Sequence, residues 1–310
     1  MKNLPKIALG AWAWGNDGTF GGNLASETLR PVFDAAMKHG LTLWDTAYAY
    51  GMGTSEKVLS SFLRGLSRDS YLVSDKFTPQ CASDSPTAMA DMIEMQLRLM
   101  DLDKFDIYWI HNVSGAPRWT EELAKYFQGK KDVPLLGVSN HNLEEIKQAD
   151  AILRAHGLKL SAVQNHYSLI NRSSETSGIL DYCKQNDIAF FAYMVLEQGA
   201  LSGKYDAEHP MPAGSDRARI YNPVLDKLGV LNDRFKALAD KYGVLPAQIP
   251  VAWAIAKGTI PIVGVTKVSQ VEDAAKACNI ILDAKDVEEL GETAKRLNLN
   301  VIRFWEKEMK

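Results

Sequence analysis

The stretch L-W-D-T-A-Y-A-Y-G at residues 43–51 puts a carboxylate, Asp45, where a short apolar strand ends, and a phenol, Tyr50, five positions further on. Just beyond it, Thr54 or Ser55 stands ahead of E-K-V-L with a side-chain oxygen suited to cap the free amides of a first helical turn. Strand, polar turn and helix make one βα unit. The same alternation of short β-branched segments with longer amphipathic ones repeats eight times along the chain, with strands expected at 7–9, 42–45, 71–76, 106–111, 134–139, 162–165, 189–193 and 259–264.

Ser26 before E-T-L-R and Asn142 before L-E-E-I supply further helix-start signals. Parallel strands need crossovers, and crossovers cover both sheet faces, so the expected fold is α/β: a (β/α)8 TIM barrel. No linker or low-complexity run divides the 310 residues, which predicts a single domain over 1–310. The spacing breaks once, where two extra helices (230–242 and 246–257) and a Pro/Gly/Asp-rich loop (208–216) intervene between strands seven and eight. After Asp286 a C-terminal helix and a tail with Phe304-Trp305 follow.

A net charge of −3 with scattered cations carries no electrostatic footprint for nucleic acid or anionic membrane, and no 18 apolar residues follow one another. With no secretory leader the expected location is cytoplasmic, and Asn112-Val-Ser and Asn171-Arg-Ser read as chance matches to the glycosylation pattern. Cys81, Cys183 and Cys278 are odd in number and lack zinc spacing. Nothing in the sequence chooses between monomer and homo-oligomer.

Reactive side chains of such barrels close the C-terminal strand ends. Asp45, Lys76 and His111 end strands two, three and four, and Tyr50 follows strand two. Together they make an acid–base device: Lys76 is expected to lower the phenol's pKa, Asp45 to hold Lys76 charged, and His111 to polarise a carbonyl oxygen. Y-G-M-G-T-S-E lacks the third glycine of a dinucleotide fingerprint. His111, His141 and His166 lie near strand ends without a companion H-x-H, so no metal is expected.

The ordered series D-T-A-Y-A-Y-G, S-D-K-F, D-I-Y-W-I-H-N, G-V-S-N-H-N, Q-N-H-Y-S-L-I-N-R and G-A-L-S-G-K-Y, within about residues 9–275, resembles that of the aldo-keto reductases. The resemblance implies NAD(P)H-dependent, reversible reduction of an aldehyde or ketone, with Asp45, Tyr50, Lys76 and His111 matching the family's tetrad and Tyr50 as general acid. It implies that Ser139, Asn140 and Gln164 hold the carboxamide and that Tyr193 stacks on the nicotinamide; a helix cap and a barrel-wall aromatic are the plain alternatives.

By the same resemblance Leu196, Gly199, Lys204 and Arg217 wrap the pyrophosphate, while Gly264, Thr266, Lys267, Gln270 and Asp273 form the adenosine end. There the match falters. Gln270 stands where some branches have Arg, and Asp273-Ala274 replaces Glu-Asn, leaving Lys267 as the only nearby cation for a 2′-phosphate. NADPH is the expected cofactor, with NADH a second option. Trp12, Trp14, Trp109 and the tail pair are candidates to line a pocket for a small carbonyl or alcohol, with core packing as the alternative. A cofactor-loaded regulatory subunit and a Schiff-base lyase on Lys76 stay open as other readings.

Overall fold

Eight short strands in the computed structural model bury both faces and leave no edge unpaired, as an all-parallel sheet requires. Residues 4–20, 23–299, 301–303 and 306–309 are described. The strands are β1 (Ala8–Gly10), β2 (Leu43–Asp45), β3 (Leu72–Phe77), β4 (Ile107–Ile110), β5 (Leu135–Ser139), β6 (Leu160–His166), β7 (Ala189–Tyr193) and β8 (Ile260–Gly264). Each pairs with the next, and β8 closes on β1 with Gly10 opposite Gly264. The sequence-based bounds are off by at most two residues, at the start of β6.

Around the barrel run α1 (Ser26–Lys38), α2 (Thr54–Leu63), α3 (Ala88–Met100), α4 (Ala116–Phe127), α5 (Leu143–Ala155), α6 (Ser173–Thr176), α7 (Ile179–Gln185), α8 (Asp216–Tyr221), α9 (Leu225–Tyr242), α10 (Gln248–Ala256), α11 (Val268–Ala277) and α12 (Ala284–Leu297). The β7–β8 insertion carries three helices rather than the expected two, because six-residue α8 is too short to show a 3.6-residue period. Phe304 and Trp305 lie outside the described residues.

Two of the three helix-start readings are corrected. Ala25 and Gly53, not Ser26 and Thr54 or Ser55, occupy the N-cap positions of α1 and α2. The hydroxyls in the first turn of α2 serve backbone carbonyls instead: Thr54 Oγ1 donates to Gly51 O at 2.7 Å and Ser55 Oγ to the buried Ala11 O at 2.7 Å. Asn142 caps α5 as expected, in a reciprocal box with Glu145 (3.0 and 2.7 Å).

Period two decides what enters the barrel. Leu43, Ile107, Ala162, Ala189 and Phe191 pack around Trp109 inside, with Leu72, Leu135, Ile260 and Ile262 against them. Gly137 makes room for that indole: a Cβ there would come 2.3 Å from the Trp109 ring. Continuing each inward row by two residues gives Asp45, Lys76, His111, Ser139, Gln164 and Tyr193, which is how an apolar barrel acquires a polar rim.

The outward residue between Ser74 and Lys76 is Asp75, fully buried under α2 and α3 beside Glu56. Gln96 Nε2 is spent on Asp75 Oδ1 and Lys76 O, both at 3.1 Å. Asp75 Oδ2 and both Glu56 oxygens find no N–H or O–H donor among the described residues, so contact between the two carboxyls is satisfied only when one carries a proton. Burial pushes Glu56 up to about 7, against the pull of Asp75, Gln96, Lys57 and Lys76. A raised carboxyl favours the folded state at low pH, and that contribution fades as pH climbs from its unfolded value through about 7. Glu56→Gln, whose amide donates to Asp75 Oδ2 at any pH, should stabilise the protein at pH 8 by on the order of 2 kcal/mol and little at pH 5. Thermal melts at both pH values check it; a gain equal at both would remove the shared proton.

Candidate active site

Tyr50 reaches the barrel mouth because two glycines let backbones touch. Gly51, at φ +68°, would bring a Cβ 1.9 Å from Gly15 O, and a Cβ on Gly15 would lie 2.5 Å from Tyr50 C. So fixed, the Tyr50 hydroxyl lies 3.1 Å from Lys76 Nζ. The ammonium also donates to Asp45 Oδ1 at 2.5 Å and Thr46 O at 2.7 Å, and its side chain is wholly buried. Asp45 Oδ2 accepts from Ser74 Oγ at 2.7 Å and Gln164 Nε2 at 3.1 Å. His111 closes the group, its ring edge-on to Tyr50 at 5.7 Å and its Nδ1 2.7 Å from Thr78 Oγ1. The structure brings all four sequence-predicted residues together.

Their electrostatics correct one expectation. Burial raises the Tyr50 pKa and outweighs the lowering by Lys76, which Asp45 partly cancels. Lys76 lowers the cost of a phenolate without offsetting burial and Asp45, so the phenol keeps its proton at neutral pH. Burial lowers the Lys76 pKa, but Asp45 and Tyr50 more than offset this and it rises. Burial and Lys76 push His111 well down, so its ring is neutral.

The nicotinamide-side candidates cluster next to this group. Asn140, in the left-handed region (φ 61°), donates from Nδ2 to His111 O at 3.0 Å and Ser139 Oγ at 3.2 Å, while its Oδ1 accepts from Tyr193 Oη at 2.6 Å. The helix-cap alternative does not describe Ser139 or Asn140, since Asn142 caps α5. Gln164 joins this shell to Asp45. In the loop after β7, Leu196 O accepts from Gly199 N at 2.8 Å, and Gly199 sits at φ +101°. Lys204 and Arg217 flank the Tyr205 ring at 5.3 and 5.6 Å, with Arg217 Nη1 3.4 Å from Gln198 O.

At the far end Gly264 is exposed with open space where a side chain would stand. Gln270 Oε1 accepts from Thr266 N, Lys267 N and Thr266 Oγ1 at 2.7, 3.0 and 3.2 Å, and so caps α11. Lys267 is exposed, and Asp273 Oδ1 takes a hydrogen bond from Gln248 at 2.9 Å.

Of Trp12, Trp14 and Trp109, only Trp12 stays at the mouth, stacked on Tyr50 at 5.5 Å and edge-on to Phe20 at 5.1 Å. Trp14 and Trp109 are corrected to core residues, both 0% exposed. Trp14 packs on Trp44 and Phe62 outside the barrel and donates to Val265 O at 2.7 Å. Trp109 lies one layer below the tetrad and donates to Ser74 Oγ at 2.6 Å, completing a relay from indole to hydroxyl to Asp45. Ser74 and Thr78 were missed by the sequence reading; their signal is period two, each two residues from Lys76 on the inward face of β3 or its continuation.

The Aldo/keto reductase family model matches residues 6–295. The chain is 28% identical over 288 residues to pyridoxal reductase, chloroplastic, of Arabidopsis thaliana, covering 87% of this chain and 78% of that protein. It is 26% identical over 302 residues to the aldo-keto reductase YhdN of Bacillus subtilis, covering 92% and 88%. Among solved structures, the glycerol dehydrogenase AKR11B4 of Gluconobacter oxydans superposes with a TM-score of 0.81 at 25% identity, over 97% of this chain and 94% of that one. An aldo/keto reductase of Klebsiella pneumoniae, solved with NADP and acetate, shares the fold with a TM-score of 0.74 at 24% identity, over 99% and 95%. With nearly its whole length matched, the chain belongs to the aldo/keto reductase family.

Proposed function

We propose that the barrel mouth is the site of NAD(P)H-dependent reduction of a small aldehyde or ketone, with Tyr50 giving the proton. The observation that carries this reading is the buried chain Asp45–Lys76–Tyr50 ending at a protonated hydroxyl beside a neutral His111. When bound, the reduced nicotinamide supplies the hydride. The residues present fit such a group: Tyr193 offers a partly exposed ring, Asn140 Oδ1 and Gln164 offer amides, and Gly264 leaves backbone open to close approach. Tyr50 O–H donates to the carbonyl oxygen as negative charge grows, and Lys76 stabilises the phenolate that remains. If Thr78 donates to His111 Nδ1, the other ring nitrogen keeps its proton as a second donor.

Trp12 and Phe20 add an apolar wall beside Tyr50, suiting aromatic or sugar-like carbonyls that offer a flat or C–H face. A lyase role is disfavoured because Lys76 is held as an ammonium by Asp45. The cytoplasmic location stays part of this reading, supported by three unpaired cysteines.

Fluorescence titration with NADPH and NADH, followed by a carbonyl panel, tests the function; failure to bind either nucleotide sinks it. For the 2′-phosphate, Gln270 is occupied as a helix cap, which leaves exposed Lys267. One exposed charge pair contributes about 0.2–1 kcal/mol, so NADPH should be preferred only a few-fold. Lys267→Ala should weaken NADPH and spare NADH, and added salt should shrink the difference in the native protein. An unaltered NADPH affinity would move the contact elsewhere, with Arg217 next.

A further inference from the structure

Against the Tyr193 ring lies a buried ionic cluster that the chemistry above does not use. His166, the last residue of β6, is opposite Tyr193 in register and stacks on it at 5.5 Å and 26°. Its Nε2 is 2.6 Å from Glu197 Oε1, and its Nδ1 is 3.1 Å from Glu306 Oε2 and 2.9 Å from Asn171 Nδ2. Glu197 also accepts from Ser168 Oγ at 2.5 Å, Tyr221 Oη at 2.5 Å and Arg303 Nη2 at 3.3 Å. Arg303 reaches Tyr221 Oη and binds both Glu306 oxygens at 3.2 and 3.3 Å.

Two of these four charged groups, Arg303 and Glu306, come from the C-terminal tail. The side chains of Arg303 and Glu197 are 0% exposed and those of His166 and Glu306 2%. Groups this dry are tolerated only when paired, and the set balances, two carboxylates against a guanidinium and an imidazolium. Burial lowers the His166 pKa, but Glu197 and Glu306 overcome it and hold the ring charged, at about 9. Lys307 pairs with Glu145 and Met309 is 1% exposed, so the tail is docked beyond the cluster as well.

We propose that the C-terminal tail is a positioning element for nucleotide binding: Arg303 and Glu306 fix His166 against one face of Tyr193, and so set the ring on which the nicotinamide lies. The physical reason is preorganisation. Tyr193 is held at one end by its hydroxyl on Asn140 and across its face by His166, so binding does not have to immobilise it. His166, Glu197, Arg303 and Glu306 are positioning residues; none belongs to the tetrad. The inference rests on the reading that Tyr193 receives the nicotinamide.

Glu306→Gln is the test, in the full-length protein, with NADPH affinity read by fluorescence from pH 6 to 8. Removing one of its two anions should lower the His166 pKa, with Glu197, Arg303, Tyr221 and Tyr193 the titratable or charged groups still facing it. NADPH binding should weaken on the order of tenfold at pH 8 and much less at pH 6, where the ring regains its proton, while the native protein stays flat. Turnover at saturating NADPH should fall by less than affinity does. Glu306→Asp, which keeps the charge, should restore most of the affinity, an outcome that loose packing alone would not give. Should Glu306→Gln prove unstable, Arg303→Lys, which keeps the cation but not the fork, should show a smaller loss in the same direction. A folded Glu306→Gln protein with native affinity at both pH values overturns the proposal. Tyr193→Ala separates the two readings: if it leaves NADPH affinity unchanged, the nicotinamide assignment fails; if it weakens binding and Glu306→Gln does not, only the tail's role fails.

Discussion

Tyr50→Phe should bind NADPH with near-native affinity and lose turnover by roughly two or more orders of magnitude, the usual size of a general-acid contribution. The ring keeps its stacking on Trp12 and its edge contact with His111, so the wall of the mouth persists. Only the hydroxyl 3.1 Å from Lys76 Nζ disappears. Because burial holds that hydroxyl protonated, native reduction should run without loss through neutral pH and fall only as Tyr50 titrates above its ordinary range. Stopped-flow reduction of several carbonyls by the variant checks the role, and near-normal rates on more than one would refute it.

How far the sequence carried this reading depends on the length scale at which each residue acts. Strand positions and the convergence of Asp45, Tyr50, Lys76 and His111 were legible because both follow from periodicity: apolar rows place strands, and a parallel barrel delivers their last polar residue to one rim. The direction of the Tyr50 pKa was not. It depends on how far Asp45 cancels Lys76 and on how dry the site is, neither of which a one-dimensional pattern records. Trp109 was misplaced for a related reason, since an aromatic two residues from His111 reads the same whether it faces a pocket or the layer beneath; Trp14, two residues from Trp12, packs instead on Trp44 and Phe62. The hole that settles Trp109 is made by Gly137 on the neighbouring strand.

Ser55 failed as a cap through competition. A helix-start hydroxyl near a buried carbonyl bonds to it in preference to the helix amides, and Ser55 lies against Ala11 O, 44 residues away in sequence. The cluster against Tyr193 was out of reach because its partners are drawn from β6, the β7 loop, α8 and the tail, with Arg303 and Glu197 106 residues apart. Local motifs carry no trace of such a meeting.

Asp45→Asn should be the most destabilising single change at the site. Lys76 is wholly buried, and Asp45 at 2.5 Å is its only carboxylate partner in the ion pairs of the described residues. Removing one member of a buried pair leaves a charge in a dry site, a loss of about 3–5 kcal/mol, and the new amide N–H would face donors from Lys76, Ser74 or Gln164. The pH dependence should change as well as the magnitude. In the native protein the Lys76 pKa lies above its unfolded value, so its contribution is full below that value and is lost only as pH rises through the folded pKa, beyond about 10.4. Without Asp45, burial dominates and the folded pKa drops below the unfolded one. The unfolded chain then binds the extra proton, and stability should climb between pH 7 and 10 where the native protein is flat. Thermal melts across that range decide it, and a variant melting within a degree or two of the native protein with no slope would show that water or backbone, not Asp45, carries the ammonium. Asp45→Asn combined with Lys76→Met removes the orphaned charge, and should recover much of the lost stability while remaining inactive, which separates the carboxylate's part in folding from its part in holding the proton donor.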